Sequence, residues 1–301
     1  MSKIHFTGIM PALITPLDER GNVKVNTVKN LIDHYLSCGV DGFYSVGGTG
    51  EGVLLTLDQR KAMAEATIQA NAKRGKVIVH TGAINSSEVI ELTKFATAAG
   101  ADGISSILPS IYFQYNFDEI IRFYSDIANN TDLPILIYAN HTGNGVNMTK
   151  LLERLLKIEN IVGAKDTRSN YYAMWDLKQL NNGDVNIING PDESLLCGLS
   201  MGADGGIGAT YGAMPELYVE LYKEFISGNI LRARELQFKA NKIIQTMLNF
   251  AGGSIVKPLK EILRINGIDA GVDIYPAESF TAERSKEMIN ALNAAGYNWW
   301  N

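Results

Sequence analysis

The feature that most constrains the fold is an alternation repeated along the whole chain: eight short apolar runs, each followed by a turn and a helical pattern. The runs are Gly8-Pro16, Asp41-Val46, Lys76-Gly82, Asp102-Leu108, Pro134-Ala139, Ile161-Asp166, Val185-Gly190 and Gly205-Thr210. Stretches such as 57–74, 87–99, 117–130 and 171–181 lie between them and are amphipathic enough to cover a sheet on one side. Strands separated by helices pair in parallel, because a parallel partner is reached only by a crossover. The even spacing, and the absence of a Gly-x-Gly-x-x-Gly fingerprint after the first strand, favour closure over an open doubly wound sheet. The expected fold is therefore α/β, a (β/α)8 TIM barrel. After Thr210 come up to four more helical segments, about 214–227, 230–250, 255–266 and 281–295, with no further strand. Residues 1–225 are expected to form the barrel, and 226–301 a helical extension packed on it or on a neighbouring subunit.

A chain of 301 residues is long enough for two average domains, but barrels of this kind reach that length as one. Apolar residues at 46% and charged residues at 20% are ordinary for a globular protein. The net charge of −5 is spread without a Lys/Arg run, which argues against nucleic acid or an anionic membrane as partner. Two cysteines, Cys38 and Cys197, make neither a disulfide framework nor a zinc spacing, and both are expected to be buried small hydrophobes in a reducing compartment. The opening Met-Ser-Lys-Ile-His-Phe lacks the charged-then-apolar pattern of an export signal, and no long apolar run follows, so a cytoplasmic protein is expected.

In such a barrel the C-terminal strand ends and the loops after them form the active face. Lys165 lies near the end of an apolar strand. There it either points into the barrel mouth, where desolvation favours the neutral nucleophilic amine, or pairs with a carboxylate such as Asp166. Tyr138 ends the preceding strand, close enough for a phenol to shuttle protons during imine formation; a core tyrosine with its hydroxyl at the rim is the plainer alternative. Gly47-Gly48-Thr49-Gly50-Glu51-Gly52 follows the second strand. Its glycines let backbone N–H groups approach an anion, Thr49 adds a hydroxyl suited to a carboxylate, and Glu51 reads as a loop-bracing group. No Gly-Lys-Ser/Thr ending marks it as a phosphate loop. Asn189-Gly190-Pro191-Asp192-Glu193 and Gly205-Gly206-Ile207-Gly208-Ala209-Thr210 end the seventh and eighth strands. The two acids suit a polyol, although Asp192 can equally cap the helix that begins there. A lysine nucleophile, a phenol and an anion loop on one face specify imine chemistry on a carboxylated carbonyl compound.

These residues resemble the dihydrodipicolinate synthase and N-acetylneuraminate lyase family of class I aldolases, over nearly the whole chain. The resemblance implies that Gly48 and Thr49 bind the pyruvate carboxylate, Tyr138 relays protons, Lys165 forms the Schiff base, and Thr167 lines the pocket. It further implies a homotetramer with no metal or organic cofactor beyond the covalent imine on Lys165. The family's second tyrosine, after strand four, falls where Pro109-Ser110-Ile111-Tyr112-Phe113 stands, so Tyr112 by a one-residue shift, or Tyr115, is the candidate.

Dihydrodipicolinate synthases carry an arginine where this chain has Gly143, which disfavours that branch. The Asn-Gly-x-Asp-Glu and Gly-Ala-Asp-Gly-Gly-Ile-Gly-x-Thr-Tyr segments resemble sialic acid lyases. Gly190, Asp192, Glu193 and Thr210 then become substrate residues for a 2-keto sugar acid, N-acetylneuraminate first, split to pyruvate and N-acetylmannosamine. Departures at Gly48, Ala209 and Ala139-Asn140-His141 leave room for a shorter 2-keto-3-deoxy sugar acid, or for a dihydrodipicolinate-synthase-like condensation. A silent barrel acting as a sugar-acid sensor is the non-enzymatic alternative. His141, on an active-face loop, is a candidate substrate contact. No His/Asp/Glu cluster with metal spacing accompanies it, so a metal-dependent aldolase is not expected.

Overall fold

A computed structural model describes residues 6–107, 114–140, 146–274 and 276–300. Eight parallel strands lie in the order β1-β8-β7-β6-β5-β4-β3-β2. They are β1 (Gly8–Pro11), β2 (Gly42–Ser45), β3 (Lys76–His80), β4 (Gly103–Ile107), β5 (Ile135–Ala139), β6 (Ile161–Asp166), β7 (Asn186–Asn189) and β8 (Gly205–Gly208). The remaining seam, β1 against β2, is closed by the parallel Ala12–Tyr44 bridge and by the Asp41 N–H donating to the Ile9 carbonyl. The sheet is thus a barrel, and each strand lies inside one of the apolar runs.

Helices α1 (Val25–Ser37), α2 (Leu57–Asn71), α3 (Ser86–Ala99), α4 (Phe117–Ala128), α5 (Met148–Leu155), α6 (Tyr171–Lys178), α7 (Leu195–Ser200) and α8 (Pro215–Ile226) form the outer layer. Their starts are set by local chemistry. Thr56 with Gln59 and Asn116 with Glu119 form reciprocal capping boxes on α2 and α4, while the side chains of Asn85 and Asn147 accept the first free N–H groups of α3 and α5. Then follow α9 (Ile230–Ala251), α10 (Val256–Ile265) and α11 (Ala282–Ala295). Their apolar faces join the core between strands and helices, through Leu236, Ile243, Met247, Leu259 and Leu292. Among the described residues, no helix is long and apolar enough to cross a membrane.

A second, smaller core fills the lumen: Met10, Tyr44, Ile78, Leu136, Val162, Ile188 and Ile207, one from each of seven strands, with Phe6 and Ala12. Side chains on a regular strand alternate between lumen and helices, and on β6 that alternation is broken. Ile135 pairs with Ile161 but Leu136 pairs with Gly163, so Val162 is an extra residue. Val162 and Gly163 both fall on the lumen side, Ala164 faces the helices, and Lys165 is brought inward. Only glycine fits at 163, because a Cβ there would lie 1.7 Å from the Asn186 carbonyl oxygen of β7.

Neither cysteine is a buried hydrophobe. Cys38 is half-buried among polar groups and Cys197 is exposed, since each follows or occupies a short helical end rather than the core face.

Candidate active site

The bulge on β6 delivers Lys165 into the lumen, where it is 6% exposed. Its register partner on β5 is Tyr138, and its Nζ lies 4.4 Å from the ring centroids of both Tyr138 and Tyr44. Asp166 points the other way. Its fully buried carboxylate takes a two-pronged bond from Arg168, at 2.8 Å to each oxygen, together with the Arg168 backbone N–H at 3.0 Å. A Lys165–Asp166 pair is therefore excluded by strand geometry, and the lysine is not tied up by that acid.

Among the described residues two phenols touch Lys165, and their surroundings push them apart. The charge of Lys165, aided by the Thr167 hydroxyl, lowers the pKa of Tyr138 against the opposing effects of burial and of Asp192. Burial raises Tyr44 well above the ordinary phenol, and its hydroxyl donates to Ser105. Tyr138 is thus the phenol poised to exchange a proton with the lysine. Among the described residues the buried Thr167 hydroxyl has no hydrogen bond of normal geometry, and Tyr138 is the group it faces.

His80 and Tyr44 are site residues that sequence reasoning missed. His80 ends β3 with its ring 6.0 Å from those of Tyr138 and Tyr44, and its Nε2 accepts from the Ile107 N–H. Burial, then the charges of Arg60 and Lys165, hold its pKa down at about 3, so it is a neutral imidazole. The available signals were weak: a strand-end histidine and a tyrosine on the lumen face of β2.

The loop after β2 is tightly built. Val46, β-branched, sits at φ 63°, and Glu51 at φ 54°, both in the left-handed region. A Cβ on Gly52 would lie 2.2 Å from the Val46 carbonyl oxygen, and one on Gly47 2.4 Å from the Tyr44 ring. Thr15 donates to the Gly50 carbonyl, and Glu51 accepts from Lys260 of α10. With the loop held by these bonds, and by Glu51 N–H and Gly52 N–H donating back to Gly48 and Gly47, neither the Gly48 nor the Thr49 N–H has an acceptor among the described residues. Gly48 is exposed, with nothing within 4 Å of where its Cβ would be. Gly47, Gly48, His80, Ile107 and Tyr138 line one cavity of about 190 Å³.

A second space, a groove of about 750 Å³, includes Thr167, Gly190, Asp192, Glu193, Ala209 and Thr210 and is bordered by α9. Asp192 does not cap a helix. Its Oδ2 accepts both the N–H and the hydroxyl of Thr210, each at 2.6 Å, and burial raises its pKa to about 6 against those bonds. The Thr210 hydroxyl, 2% exposed and also beside the Tyr218 hydroxyl, is committed to holding Asp192 rather than free for a ligand. Glu193 is exposed on the groove, and Asn241 and Gln237 of α9 donate to the carbonyls of Glu193 and Asp192. Gly48 and Tyr138 thus line one space and Thr167, Gly190, Asp192 and Glu193 another, with Lys165 against Tyr138.

Tyr112 and His141 lie outside the described residues. Tyr115 lines a separate surface cavity with Ser86, Ile90 and Phe123, away from the lysine. Among the described residues, the one grouping of three metal-type donors is His34, Cys38 and Glu216, in the helical layer.

Residues 5–295 match the dihydrodipicolinate synthetase family. An N-acetylneuraminate lyase of Clostridium perfringens is 31% identical over 286 residues, covering 93% of this chain and 98% of that one. Among solved structures, the Proteus mirabilis N-acetylneuraminate lyase superposes with a TM-score of 0.91 at 26% identity, covering 98% of this chain and all of that one. The Ruminococcus gnavus sialic acid aldolase does so with a TM-score of 0.90 at 30% identity, covering 98% of this chain and 99% of that one, and a variant of it has been solved as a catalytic lysine mutant.

Proposed function

The chain belongs to the dihydrodipicolinate synthetase family, and on that premise we propose a carbon–carbon lyase, a class I aldolase that splits N-acetylneuraminate into pyruvate and N-acetylmannosamine. The observation that carries the reading is the lumen-facing Lys165 Nζ held against Tyr138, the one touching phenol whose proton is loosened. The amine adds to the C2 ketone and loses water to give the imine, with Tyr138 carrying protons on and off the departing oxygen. Loss of the proton from the C4 hydroxyl breaks the C3–C4 bond, and the pair of electrons passes into the protonated imine as an enamine. The released aldose leaves through the Asp192–Glu193 groove, the enamine takes a proton at C3, and water hydrolyses the imine to pyruvate. Thr49 and the unpaired N–H groups of Gly48 and Thr49 hold the carboxylate, while Thr167, Gly190, Asp192 and Glu193 hold the polyol. His141 and Tyr112 are included as substrate contact and second relay tyrosine. The proposal extends to a cytoplasmic homotetramer whose reaction uses no metal or organic cofactor.

A second reading, an aldolase for a shorter 2-keto-3-deoxy sugar acid, is favoured by one observation: Ala209 offers only a methyl group to the groove that the long polyol would occupy. Borohydride reduction of the protein with pyruvate, followed by peptide mass analysis, tests the shared chemistry. An adduct on Lys165, lost in Lys165→Ala, is expected; a folded protein that traps no pyruvate would leave the sensor reading standing. Cleavage rates on the two classes of sugar acid then separate the substrates.

A further inference from the structure

The cluster of His34, Cys38 and Glu216 lies apart from the lumen chemistry. His34 sits in the last turn of α1 and Cys38 is the residue that ends that helix, four positions on, so both project from one face. Glu216 comes from the first turn of α8, across the seam where the first and last barrel helices meet. The Cys38 Sγ lies 3.5 Å from His34 Nε2 and 3.2 Å from Glu216 Oε1, and the three donor atoms are all within 4.8 Å of one another. A tetrahedral zinc ion with bonds of about 2.3 Å to sulfur and about 2.0–2.1 Å to nitrogen or oxygen would set sulfur-to-neighbour separations of about 3.6 Å. The observed spacings already lie within a few tenths of an ångström of that figure. We propose that His34, Cys38 and Glu216 bind a zinc ion, with a fourth position left to water, and that this ion clips α1 to α8.

Three further features suit the assignment. The indole of Trp300 stacks on the His34 ring, with centroids 3.7 Å apart at 23°, and so restricts the orientation of the imidazole. His34 is half-buried with its Nε2 turned toward the Cys38 sulfur, which places that ring nitrogen to coordinate. Glu216 and Trp300 both border a surface cavity of about 510 Å³, which provides an entry path. The donor set of thiolate, imidazole and carboxylate selects zinc over calcium or magnesium, which take oxygen ligands.

Without metal, the Cys38 thiol donates its S–H to Glu216 Oε1. Binding breaks the S–H bond, forms the S–Zn bond, and releases one proton to solvent for each ion bound. The ion joins α1, α8 and, through Trp300, the end of the chain, and its effect is on stability rather than on the imine.

Cobalt(II) added to chelator-stripped protein reports on the site directly. One equivalent per chain is expected, with a sulfur-to-cobalt charge-transfer absorption and the visible bands of a tetrahedral ion, both bleached by zinc. Calorimetry in buffers of different ionisation enthalpy should return one proton released per zinc. Cys38→Ser should abolish the charge-transfer absorption, and Glu216→Gln should weaken zinc binding by about tenfold or more. Cys38 is half-buried and Glu216 exposed, and circular dichroism checks that both variants fold. Binding without a thiolate band, equal binding by Cys38→Ser, or no uptake of either ion by the folded wild type overturns the proposal.

Discussion

Lys260 of α10, wholly buried, donates from Nζ to Glu51 Oε2 at 2.7 Å across a sequence separation of 209 residues. The same ammonium donates to the Val272 carbonyl at 2.9 Å. The helical extension therefore props the loop proposed to hold the substrate carboxylate, at a residue whose backbone is already in the left-handed region. Removing one partner of a buried pair leaves the other charge unpaired, at a cost of about 3–5 kcal/mol. Lys260→Met is expected to lower the unfolding free energy by that order and to raise KM for the 2-oxo acid. Lys260→Met with Glu51→Gln should recover part of both, which a double-mutant cycle measures. Simple additivity of the two changes would mean that the loop does not depend on the contact.

The barrel was legible because each strand lies within a short, largely apolar run and the stretches between the runs are amphipathic, several of them opened by a capping residue such as Thr56 or Asn116. The direction of Lys165 was not. Counting alternate residues from lumen-facing Val162 would put Lys165 outside the barrel, and only the bulge, enforced by the approach of Asn186 to Gly163, reverses the phase. The bracing role of Glu51 was readable from its place in the loop, but its partner was not, since nothing local points 209 positions ahead. The resemblance makes Thr210 a substrate contact, but its hydroxyl donates to Asp192, 18 positions back, which only the fold brings against it. The spacing of His34 and Cys38 was visible on a helix, but Glu216 joins them only through barrel closure.

Gly48 differs from its neighbours in needing nothing of glycine. Its backbone is free of the left-handed region, and its Cβ direction is open. Gly48→Ser is expected to fold normally and to place a hydroxyl beside the unpaired N–H groups. A hydrogen bond to a charged group is worth about 1.5–3 kcal/mol, so KM for pyruvate should fall by about tenfold, with kcat little changed. Steady-state kinetics of condensation measures this, and an unchanged KM would place the carboxylate elsewhere.

Two buried groups make opposite contributions to stability across mildly acidic pH. His80 has its pKa depressed from 6.5 to about 3, so the unfolded chain takes up the proton first, and stability is lost as pH falls from about 6.5 toward 3. Asp192 has its pKa raised from 3.8 to about 6; the stability tied to its protonated form is present below 3.8 and lost as pH rises through about 6. Each effect amounts to a few kcal/mol at most. Urea unfolding between pH 4 and 7.5 should show a gentler acid loss in His80→Gln. The stability of Asp192→Asn relative to wild type should rise over the same interval. Parallel curves for wild type and His80→Gln would show that the imidazole titrates normally.

The sharpest test of the chemistry compares the two phenols that touch Lys165. Both rings lie 4.4 Å from its Nζ, so removing either hydroxyl leaves the packing around the amine in place. Only Tyr138 has its proton loosened by the lysine; the Tyr44 hydroxyl is buried and spent on Ser105. If Tyr138 carries protons to and from the reacting centre, Tyr138→Phe should lower kcat by about 10²–10⁴, while slow borohydride trapping on Lys165 persists. Tyr44→Phe should lose a hydrogen bond, at about 1 kcal/mol of stability, and keep kcat within a few-fold. Single-turnover rates separate imine formation from bond cleavage in each variant. Equal losses in both would mean that the rings act by enclosing the amine, and that the proton relay lies in another group.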